Sequence, residues 1–394
     1  MSSSIPFDSS QSEWVCTWLS TSQPTSGDAF PFPLEIPTTL NNQTLKQTFR
    51  ISLGGKKLRL IFSNRYGKQP LKLADSYISV EKQSDLSEAI NITFNGDTSA
   101  TIPAGEILYS DEISLHISSL SIIKLQVYLP ELVFVDTFHW DARQFSFLEN
   151  GNKTKEKSGY DQKISSRLLL ESVHVLPETR SKSIVVIGDS MVDGNGVEME
   201  SYHRWTDFLA ERVVSQNIAI VNAGQSGSRL LKDGIGISTL TRFEHDVLNQ
   251  PGITTCIVQI GLNDLGLAGT ALDPSGQIPT FDMLIEGYRQ LISMARKKDI
   301  DIVGVTIVPL RSADEYGLEN FYQPEKELIR QKVNQWMRES GEFHAIIDSD
   351  VLIRDPQNVH QLNLQYDSGD HLHLNYKGHL RIAELIFLKK IMIN

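Results

Sequence analysis

The segment Ser183–Gly194, with the sequence SIVVIGDSMVDG, decides the fold of the second half of this chain. Its first residues form a β-branched apolar run that predicts a short buried strand, and Gly188 permits a sharp turn at the end of that strand. A serine after such a turn lies at the carboxyl edge of a sheet, near a helix N-terminus whose N–H groups can stabilise an oxyanion. Ser190 is therefore a candidate nucleophile. The alternative is a turn in which Asp189 or Ser190 only caps a helix.

Similar apolar runs recur through the second half of the chain, and helical patterns separate them. This alternation predicts a parallel sheet sandwiched by helices. The predicted strands are Ile184–Ile187, Ile218–Val221, Cys256–Ile260, Ile302–Val308 and Ala345–Ile347, and the predicted helices are Trp205–Val214, Phe281–Arg296, Pro324–Arg338 and Gly378–Lys390.

The first half of the chain has a different rhythm, in which short apolar runs alternate with polar turns. Two-residue alternation in Leu45–Leu53, Lys57–Phe62 and Ile122–Leu129 predicts half-buried strands. We expect an all-β sandwich, with Gly54-Gly55 as a hairpin turn between the first two strands. Because this half has no titratable cluster with catalytic spacing, we expect it to bind, cover or scaffold.

Three tryptophans of the first half, Trp14, Trp18 and Trp140, allow two interpretations. They could stack on sugars, or they could pack in the core of the sandwich. Tryptophan is mostly buried in small domains, which favours core packing.

The length and composition limit the class of protein. A chain of 394 residues predicts two domains, which we place at residues 1–175 and 176–394. Hydrophobic and charged contents of 40% and 22% are typical of a globular protein, and the net charge of -11 argues against nucleic acid as a partner. The only two cysteines, Cys16 and Cys256, are too far apart in sequence for a disulfide framework or zinc-ligand spacing, so we expect buried free thiols.

The N-terminal segment Met1–Asp8 has neither a basic leader nor an apolar core, and no stretch of the chain approaches the length of a membrane span. We therefore expect no membrane span and a cytoplasmic location by default. Secretion remains the alternative if a native leader is missing from this sequence or another export route is used.

Polar or small residues follow three of the predicted strands. Gly224 can bring a backbone N–H close to a substrate because it has no side chain, and the Asn263 amide offers a fixed donor. With the N–H of Ser190, these groups form a candidate oxyanion hole. Taken separately, Gly224 and Asn263 also fit ordinary turn or cap positions.

A fourth element, Asp367–Tyr376, precedes the last predicted helix. Asp370 and His373 are three residues apart, so the carboxylate can fix one imidazole nitrogen and leave the other to deprotonate Ser190. His371 competes for the role of base. His371 and His373 also resemble a metal-binding pair, but no complete ligand set accompanies them.

Four sequence blocks of the SGNH/GDSL hydrolase family occur here in the family's order: Gly188-Asp189-Ser190 with Asp193-Gly194, Asn222-Ala223-Gly224, Gly261-Leu262-Asn263-Asp264, and Asp370-His371-Leu372-His373. On these blocks the chain resembles that family. The resemblance implies a flavodoxin-like three-layer α/β/α domain, with Ser190 as nucleophile and with Gly224 and Asn263 as oxyanion donors. It implies His373 as base and Asp370 as its orienter, because the family's spacing is Asp-x-x-His.

A narrower resemblance covers nearly the whole chain. Five segments look like those of two-domain, acetylxylan-esterase-like members of the family that have an N-terminal β-sandwich. They are Trp14–Trp18, Asn42–Gln47, Ser63–Gly67, Arg204-Trp205 and Ser228–Leu231. This resemblance implies a serine esterase acting through an acyl-enzyme on small acyl esters, above all O-acetyl groups of a carbohydrate or glycoside.

Cofactor motifs are missing from the first strand-to-helix turn. No Gly-x-Gly-x-x-Gly follows the strand at Ile184–Ile187, and its loop lacks the ending of a nucleotide-binding P-loop. We therefore expect neither a metal nor an organic cofactor. The alternatives are a lipase, thioesterase or acyltransferase that uses the same residues, and a non-catalytic glycan-binding protein.

Overall fold

A computed structural model describes residues 14–25, 30–81, 88–156, 159–311 and 318–386 of the chain. The predictions for Met1–Asp8 and for the last residues of the Gly378–Lys390 helix fall outside the described residues.

The N-terminal region consists mostly of antiparallel β-sheets, as the sequence predicts. A four-stranded sheet has the order β1-β16-β5-β9, and a seven-stranded sheet has the order β14-β13-β4-β10-β6-β7 with β8 also paired to β6. Two small sheets, β11-β3 and β15-β12-β2, complete this region. The strands are β1 (Val15–Leu19), β2 (Gln23–Pro24), β3 (Thr39–Leu40), β4 (Gln43–Arg50), β5 (Lys57–Ser63), β6 (Leu71–Val80), β7 (Ile90–Ile92), β8 (Ser99–Ile102), β9 (Ile107–Tyr109), β10 (Ile122–Leu129), β11 (Val133–Phe134), β12 (Thr137–His139), β13 (Ser146–Asn150), β14 (Gln162–Ile164), β15 (Arg167–Leu168) and β16 (Leu170–Leu176).

The predicted hairpin at Gly54-Gly55 is wrong. Strand β4 pairs with β10 and β13, whereas β5 pairs with β16 and β9, so the two glycines lie in a crossing between two sheets. A Cβ atom on Gly54 would meet the Ile117 carbonyl oxygen at 2.1 Å, and one on Gly55 would meet that of Leu176 at 2.4 Å. Glycine is therefore required here for close backbone approach, and not for a hairpin turn.

The C-terminal region contains the predicted parallel sheet, in the order β18-β17-β19-β20-β21. In chain order this is 2-1-3-4-5, the flavodoxin-like order, so the predicted fold class is confirmed. The strands are β17 (Lys182–Gly188), β18 (Ile218–Gly224), β19 (Ile253–Gln259), β20 (Asp301–Val305) and β21 (Ala345–Ile347), and the α-helices are α1 (Ser190–Asp193), α2 (Trp205–Val213), α3 (Thr239–Phe243), α4 (Leu262–Gly266), α5 (Phe281–Arg296), α6 (Pro324–Glu339), α7 (Ser349–Ile353) and α8 (Tyr376–Leu385). A 3₁₀-helix (Val214–Gln216) follows α2, and a π-helix (Glu244–Leu248) follows α3.

The helices form two layers. Helix α2 packs on α8 and β18, whereas α5 packs on α3, α6 and β20. Right-handed crossovers from a strand order of 2-1-3-4-5 place these two groups on opposite faces of the sheet. Local signals explain why α5 and α6 begin at the predicted residues: the Thr280 hydroxyl caps α5 by accepting the Met283 N–H, and Pro324 occupies the first turn of α6.

The two regions share hydrogen bonds at the amino edge of the parallel sheet. The N–H of Cys16 in β1 donates to the Pro251 carbonyl, and the Ser183 hydroxyl in β17 donates to the Cys16 carbonyl at 2.7 Å. Because β1 is bonded into both regions, the division into domains at residues 175 and 176 stays a prediction. Both cysteines are buried and free, as predicted, and burial raises the pKa of each thiol.

Candidate active site

Ser190 opens a short helix directly after β17. A Cβ atom on Gly188 would meet the Gln259 carbonyl oxygen at 2.3 Å, so only glycine lets the chain leave the strand at this point. The Asp189 carboxylate caps α1 by accepting the Met191 N–H at 3.0 Å. The cap and the candidate nucleophile, which were alternatives for this turn, therefore coexist on neighbouring residues. Ser190 keeps 7% of its surface exposed.

Asp189 is a buried carboxyl directly before Ser190. Burial raises its pKa to about 7, although the hydrogen bond from the Met191 N–H and the charge of His373 act in the opposite direction. The charged side chains near it include Arg242, which is itself buried and donates to the carbonyls of Gly188 and Ala223. Arg242 thereby ties together the carboxyl ends of β17 and β18.

His373 lies beside Ser190. Its Nε2 is 2.9 Å from the Ser190 hydroxyl oxygen, and its Nδ1 is 2.6 Å from Oδ2 of Asp370. The other oxygen of Asp370 accepts the N–H groups of Leu372 and His373 at 3.0 and 2.7 Å. Although burial acts against it, the combined hydrogen bonds and the charge of His373 hold the pKa of Asp370 well below its usual value. An imidazole, a carboxylate and a hydroxyl thus form one hydrogen-bonded line.

His371 occupies a different position. Its Nδ1 bonds to the Asp367 carboxylate, and its backbone has a positive φ of 54°. The structure therefore places His373, and not His371, beside the Ser190 hydroxyl. Among the residues that the structure describes, no group of three or more His, Cys, Asp or Glu side chains is arranged to hold a metal ion.

Asn263 lies near the turn that follows β18. It is the second residue of α4, and its Nδ2 donates one hydrogen to the Ser228 carbonyl at 3.0 Å. A primary amide carries two N–H groups, and the second one has no acceptor among the residues that the structure describes. The side chain is fixed by its bond to Ser228, which is what an oxyanion donor requires.

Gly224 does not offer a free N–H, contrary to the prediction. Its N–H donates to Oδ1 of Asn222 at 2.8 Å, and a Cβ atom on it would meet the Asp193 backbone nitrogen at 2.2 Å. This glycine lets β18 pack closely against α1. Its donor is already used inside the protein.

The same turn carries a second glycine, Gly227, which was not among the predicted donors. Gly227 has a φ of +75°, and its N–H has no acceptor among the described residues. Its neighbour Ser228 accepts the Asn263 amide, so Gly227 and Asn263 lie together. The positive φ is a reason for glycine that sequence alone does not reveal, since Gly-Gln-Ser-Gly offers two glycines to one turn.

The tryptophans lie in packed surroundings. Trp14 is buried, Trp18 lies against Phe49 with ring centroids 4.7 Å apart, and Trp140 stacks on Phe32 at 4.9 Å. These contacts favour core packing over sugar stacking. In the described part of the chain, no helix is both long and apolar enough to cross a membrane.

A hydroxyl, an imidazole and a carboxylate in one line at the carboxyl edge of a flavodoxin-like sheet are the arrangement that serine hydrolases use. The sequence profile of the GDSL-like lipase/acylhydrolase family matches residues 186–381, a span that includes Ser190, Asn263, Asp370 and His373. The chain belongs to this family through its C-terminal region, and it is a hydrolase.

Several solved structures are similar to about half of the chain. They include a variant of an acetyl xylan esterase from Geobacillus stearothermophilus (18% identity, 54% of this chain and 97% of that chain, TM-score 0.40). A psychrotrophic esterase from Pseudoalteromonas sp. has 17% identity and a TM-score of 0.39, over 53% of this chain and 98% of that chain. A GDSL-like lipase from Bacteroides thetaiotaomicron has 16% identity and a TM-score of 0.38, over 53% of this chain and 87% of that chain. No curated protein matches the chain.

Proposed function

We propose that this protein is a serine esterase that hydrolyses small acyl esters through an acyl-enzyme. The observation that carries the proposal is the position of His373, which contacts the Ser190 hydroxyl at 2.9 Å with one nitrogen and Asp370 at 2.6 Å with the other. In this geometry the imidazole can accept the hydroxyl proton as the oxygen attacks a carbonyl carbon.

The proposed reaction has two halves. In the first, Ser190 Oγ attacks the ester carbonyl, His373 takes the hydroxyl proton and then gives it to the leaving alcohol, and the acyl group stays on Ser190. In the second, His373 deprotonates a water molecule that attacks the carbonyl carbon of the acyl-enzyme. The bond from that carbon to Ser190 Oγ then breaks, His373 returns the proton to Oγ, and the carboxylic acid leaves. Asp370 orients the imidazole and stabilises its charged form in both halves.

The oxyanion of each tetrahedral intermediate needs donors. We assign them to the Ser190 N–H, the Gly227 N–H and Nδ2 of Asn263. The first N–H groups of a helix lack intrahelical acceptors, which leaves that of Ser190 available. Gly227 takes the place of Gly224 because the N–H of Gly224 is already bonded to Asn222.

For the substrate, we propose an O-acetyl group on a carbohydrate or glycoside. Support for this substrate comes from the resemblance of the whole sequence to two-domain, acetylxylan-esterase-like proteins. A small acyl group and a sugar alcohol require no metal or organic cofactor in the reaction above.

Labelling with a fluorophosphonate tests the esterase proposal. The wild type should label, Ser190→Ala should not label at all, and His373→Ala should label slowly because the hydroxyl then lacks its base. His371→Asn is the matched control, since it removes a neighbouring imidazole that contacts Asp367 and not Ser190. A wild type that does not label would overturn the proposal and favour a non-catalytic protein.

Aryl esters and acetylated oligosaccharides test the substrate. An acetyl esterase should lose activity steeply from C2 to C8 aryl esters and should release acetate from acetylated xylo-oligosaccharides. Rising activity toward C8 would instead indicate a lipase. Transacylated product in the presence of a competing alcohol would indicate an acyltransferase.

A further inference from the structure

A histidine of the N-terminal region reaches the helix that begins at Ser190. His139 ends strand β12, and its Nε2 donates to Oδ1 of Asp193 at 3.0 Å although 54 residues separate them. Both side chains are almost completely buried, with 7% and 3% of their surfaces exposed. Asp193 is the last residue of α1, so the N-terminal region contacts the same short helix that presents Ser190.

The two shortest contacts of His139 are both hydrogen bonds only in its charged form, and the Thr21 hydroxyl lies farther from Nδ1, at 3.4 Å. Its Nδ1 is 2.9 Å from the Thr21 carbonyl oxygen, and its Nε2 faces the Asp193 carboxylate. Neither oxygen can donate, so both contacts are hydrogen bonds only when both ring nitrogens carry hydrogen. Burial acts to lower the pKa of His139, but the charge and hydrogen bond of Asp193 outweigh it, and the pKa is raised. For Asp193, burial is likewise outweighed, chiefly by His139, and its pKa is lowered.

Asp193 also accepts hydrogen bonds from the turn that follows β18. Its second oxygen, Oδ2, accepts the Ser226 N–H at 3.0 Å and the Ser226 hydroxyl at 2.7 Å. Ser226 directly precedes Gly227, and Ser228 accepts the amide of Asn263. A displacement of the Asp193 carboxylate would therefore shift the two donors that we assign to the oxyanion.

Other residues of the N-terminal region hold the same turn. The Thr21 hydroxyl donates to the Gly224 carbonyl at 3.2 Å and accepts from Nε2 of Gln225 at 3.1 Å. The Gln23 amide donates to the Ile235 carbonyl at 2.9 Å, and a Cβ atom on Gly227 would meet the Ile235 side chain at 2.5 Å. The turn is thus bonded on one side to the parallel sheet and on the other to the first strands of the chain.

We propose that His139 is a positioning residue for the oxyanion site, and that it acts through Asp193 on the turn Ser226–Ser228. The N-terminal β region is then a part of the catalytic unit and not only a cover or scaffold. This inference rests on the proposed esterase function. Its physical basis is that a small misplacement of oxyanion donors lowers the rate of the chemical step without weakening substrate binding to the same degree.

The test compares two buried histidines that both link the N-terminal region to the parallel-sheet region. His139→Ala removes the link to Asp193. The matched control is His174→Ala: His174 lies in β16 and contacts Oε1 of Gln250 at 3.2 Å, at the amino edge of the sheet, away from Ser190. Steady-state kinetics on an acetyl aryl ester are normalised to the number of serines that a fluorophosphonate labels at saturation.

We expect His139→Ala to lower kcat by about 10- to 100-fold with a KM within about 3-fold of wild type, since a displacement of about 1 Å can cost that much. His174→Ala should leave kcat per labelled site unchanged, even if its melting temperature falls. His139→Gln keeps a donor toward Asp193 and should therefore recover part of kcat. This variant also keeps the inference testable if His139→Ala does not fold.

A double-mutant cycle shows whether His139 acts through the turn. Ser226→Ala removes the hydroxyl that donates to Asp193, so its effect on kcat and that of His139→Gln should be less than additive if both displace the same carboxylate. Equal losses in the His139 and His174 variants, or unchanged kcat in both His139 variants, would overturn the inference while wild-type labelling leaves the esterase proposal intact. Absence of labelling in the wild type would overturn both.

Discussion

The Nε2 atom of His373 lies 2.9 Å from the hydroxyl oxygen of Ser190, although 183 residues separate the two side chains. Strand β17 and Gly188 place the serine, and the loop before α8 places the histidine. Because Asp370 fixes the other imidazole nitrogen, the ring can be held in the tautomer whose free nitrogen faces the hydroxyl.

The first prediction separates the two histidines of the C-terminal loop. His373→Ala should lower kcat on an acetyl aryl ester by about 10³-fold or more, because the hydroxyl loses its base. His371→Asn should keep most of the activity, since this imidazole bonds to Asp367, and asparagine tolerates the positive φ at this position. Comparable losses in the two variants would contradict the assignment of the base.

The second prediction concerns the carboxylate. In Asp370→Asn, the side-chain amide would donate to Nδ1 of His373 and so move the ring hydrogen to Nε2, which then could not accept the serine proton. We expect kcat to fall by about 10²–10⁴-fold. A loss near the lower end of this range is expected because Asp370 is partly exposed to solvent. Asp367→Asn, the same change beside His371, is the control and should have little effect. Pre-steady-state acylation rates measure both.

The third prediction concerns the oxyanion donors. Asn263→Ala should lower kcat by about 10²–10³-fold, the usual loss when one such donor is removed. The control is Asn249→Ala, an exposed asparagine after the π-helix. Wild-type activity in Asn263→Ala would remove Asn263 from the mechanism.

The fourth prediction distinguishes the two glycines of the turn. Substitution cannot do so, because a Cβ atom would clash at both positions. A crystal structure of a phosphonate adduct on Ser190 can: the phosphonyl oxygen should accept the Gly227 N–H, while the Gly224 N–H should still donate to Asn222. A phosphonyl oxygen bonded to Gly224 would return that glycine to the oxyanion site.

The fifth prediction concerns the pH dependence of stability. The pKa of Asp189 is raised from 3.8 to about 7 in the folded state, so between these values the unfolded chain releases a proton that the folded chain keeps. This residue therefore lowers the free energy of unfolding as pH rises through that window, with no further loss above it.

Asp189→Asn removes the titrating group and keeps an oxygen for the Met191 N–H. Relative to wild type, its free energy of unfolding should rise by about 1–4 kcal/mol between pH 4 and pH 8. Urea unfolding at the two pH values measures this, with the exposed Asp97→Asn as control. A wild-type pH slope in Asp189→Asn would contradict the raised pKa.

Local patterns were sufficient to locate the elements of the parallel-sheet region, although the strand predicted at Ile302–Val308 ends at Val305. Helix α5 has the predicted bounds, Phe281–Arg296, because its cap, its apolar face and its end are encoded within the segment itself. The strand Ala345–Ile347 is likewise as predicted. The motif spacing also selected Ser190, Asp370 and His373, since the second and third of these lie in one short loop and the first follows a strand-ending glycine.

Local sequence patterns could not predict which distant strands pair with each other. The glycines at positions 54 and 55 have the composition of a hairpin turn, yet β4 and β5 belong to different sheets because their partners, β10 and β16, lie far along the chain. Turn composition reports local backbone freedom. It does not report which strand forms the next ladder.

The sequence by itself therefore determined the class of fold, the turn that places Ser190 and the Asp370–His373 pair, because each depends on residues close together in the chain. Only the tertiary structure decided that Gly224 donates to Asn222, that the Gly227 N–H has no acceptor in the described part of the chain, and that His139 contacts Asp193. The direction of a backbone N–H and the partner of a buried charge depend on segments brought together by packing. No local pattern carries that information.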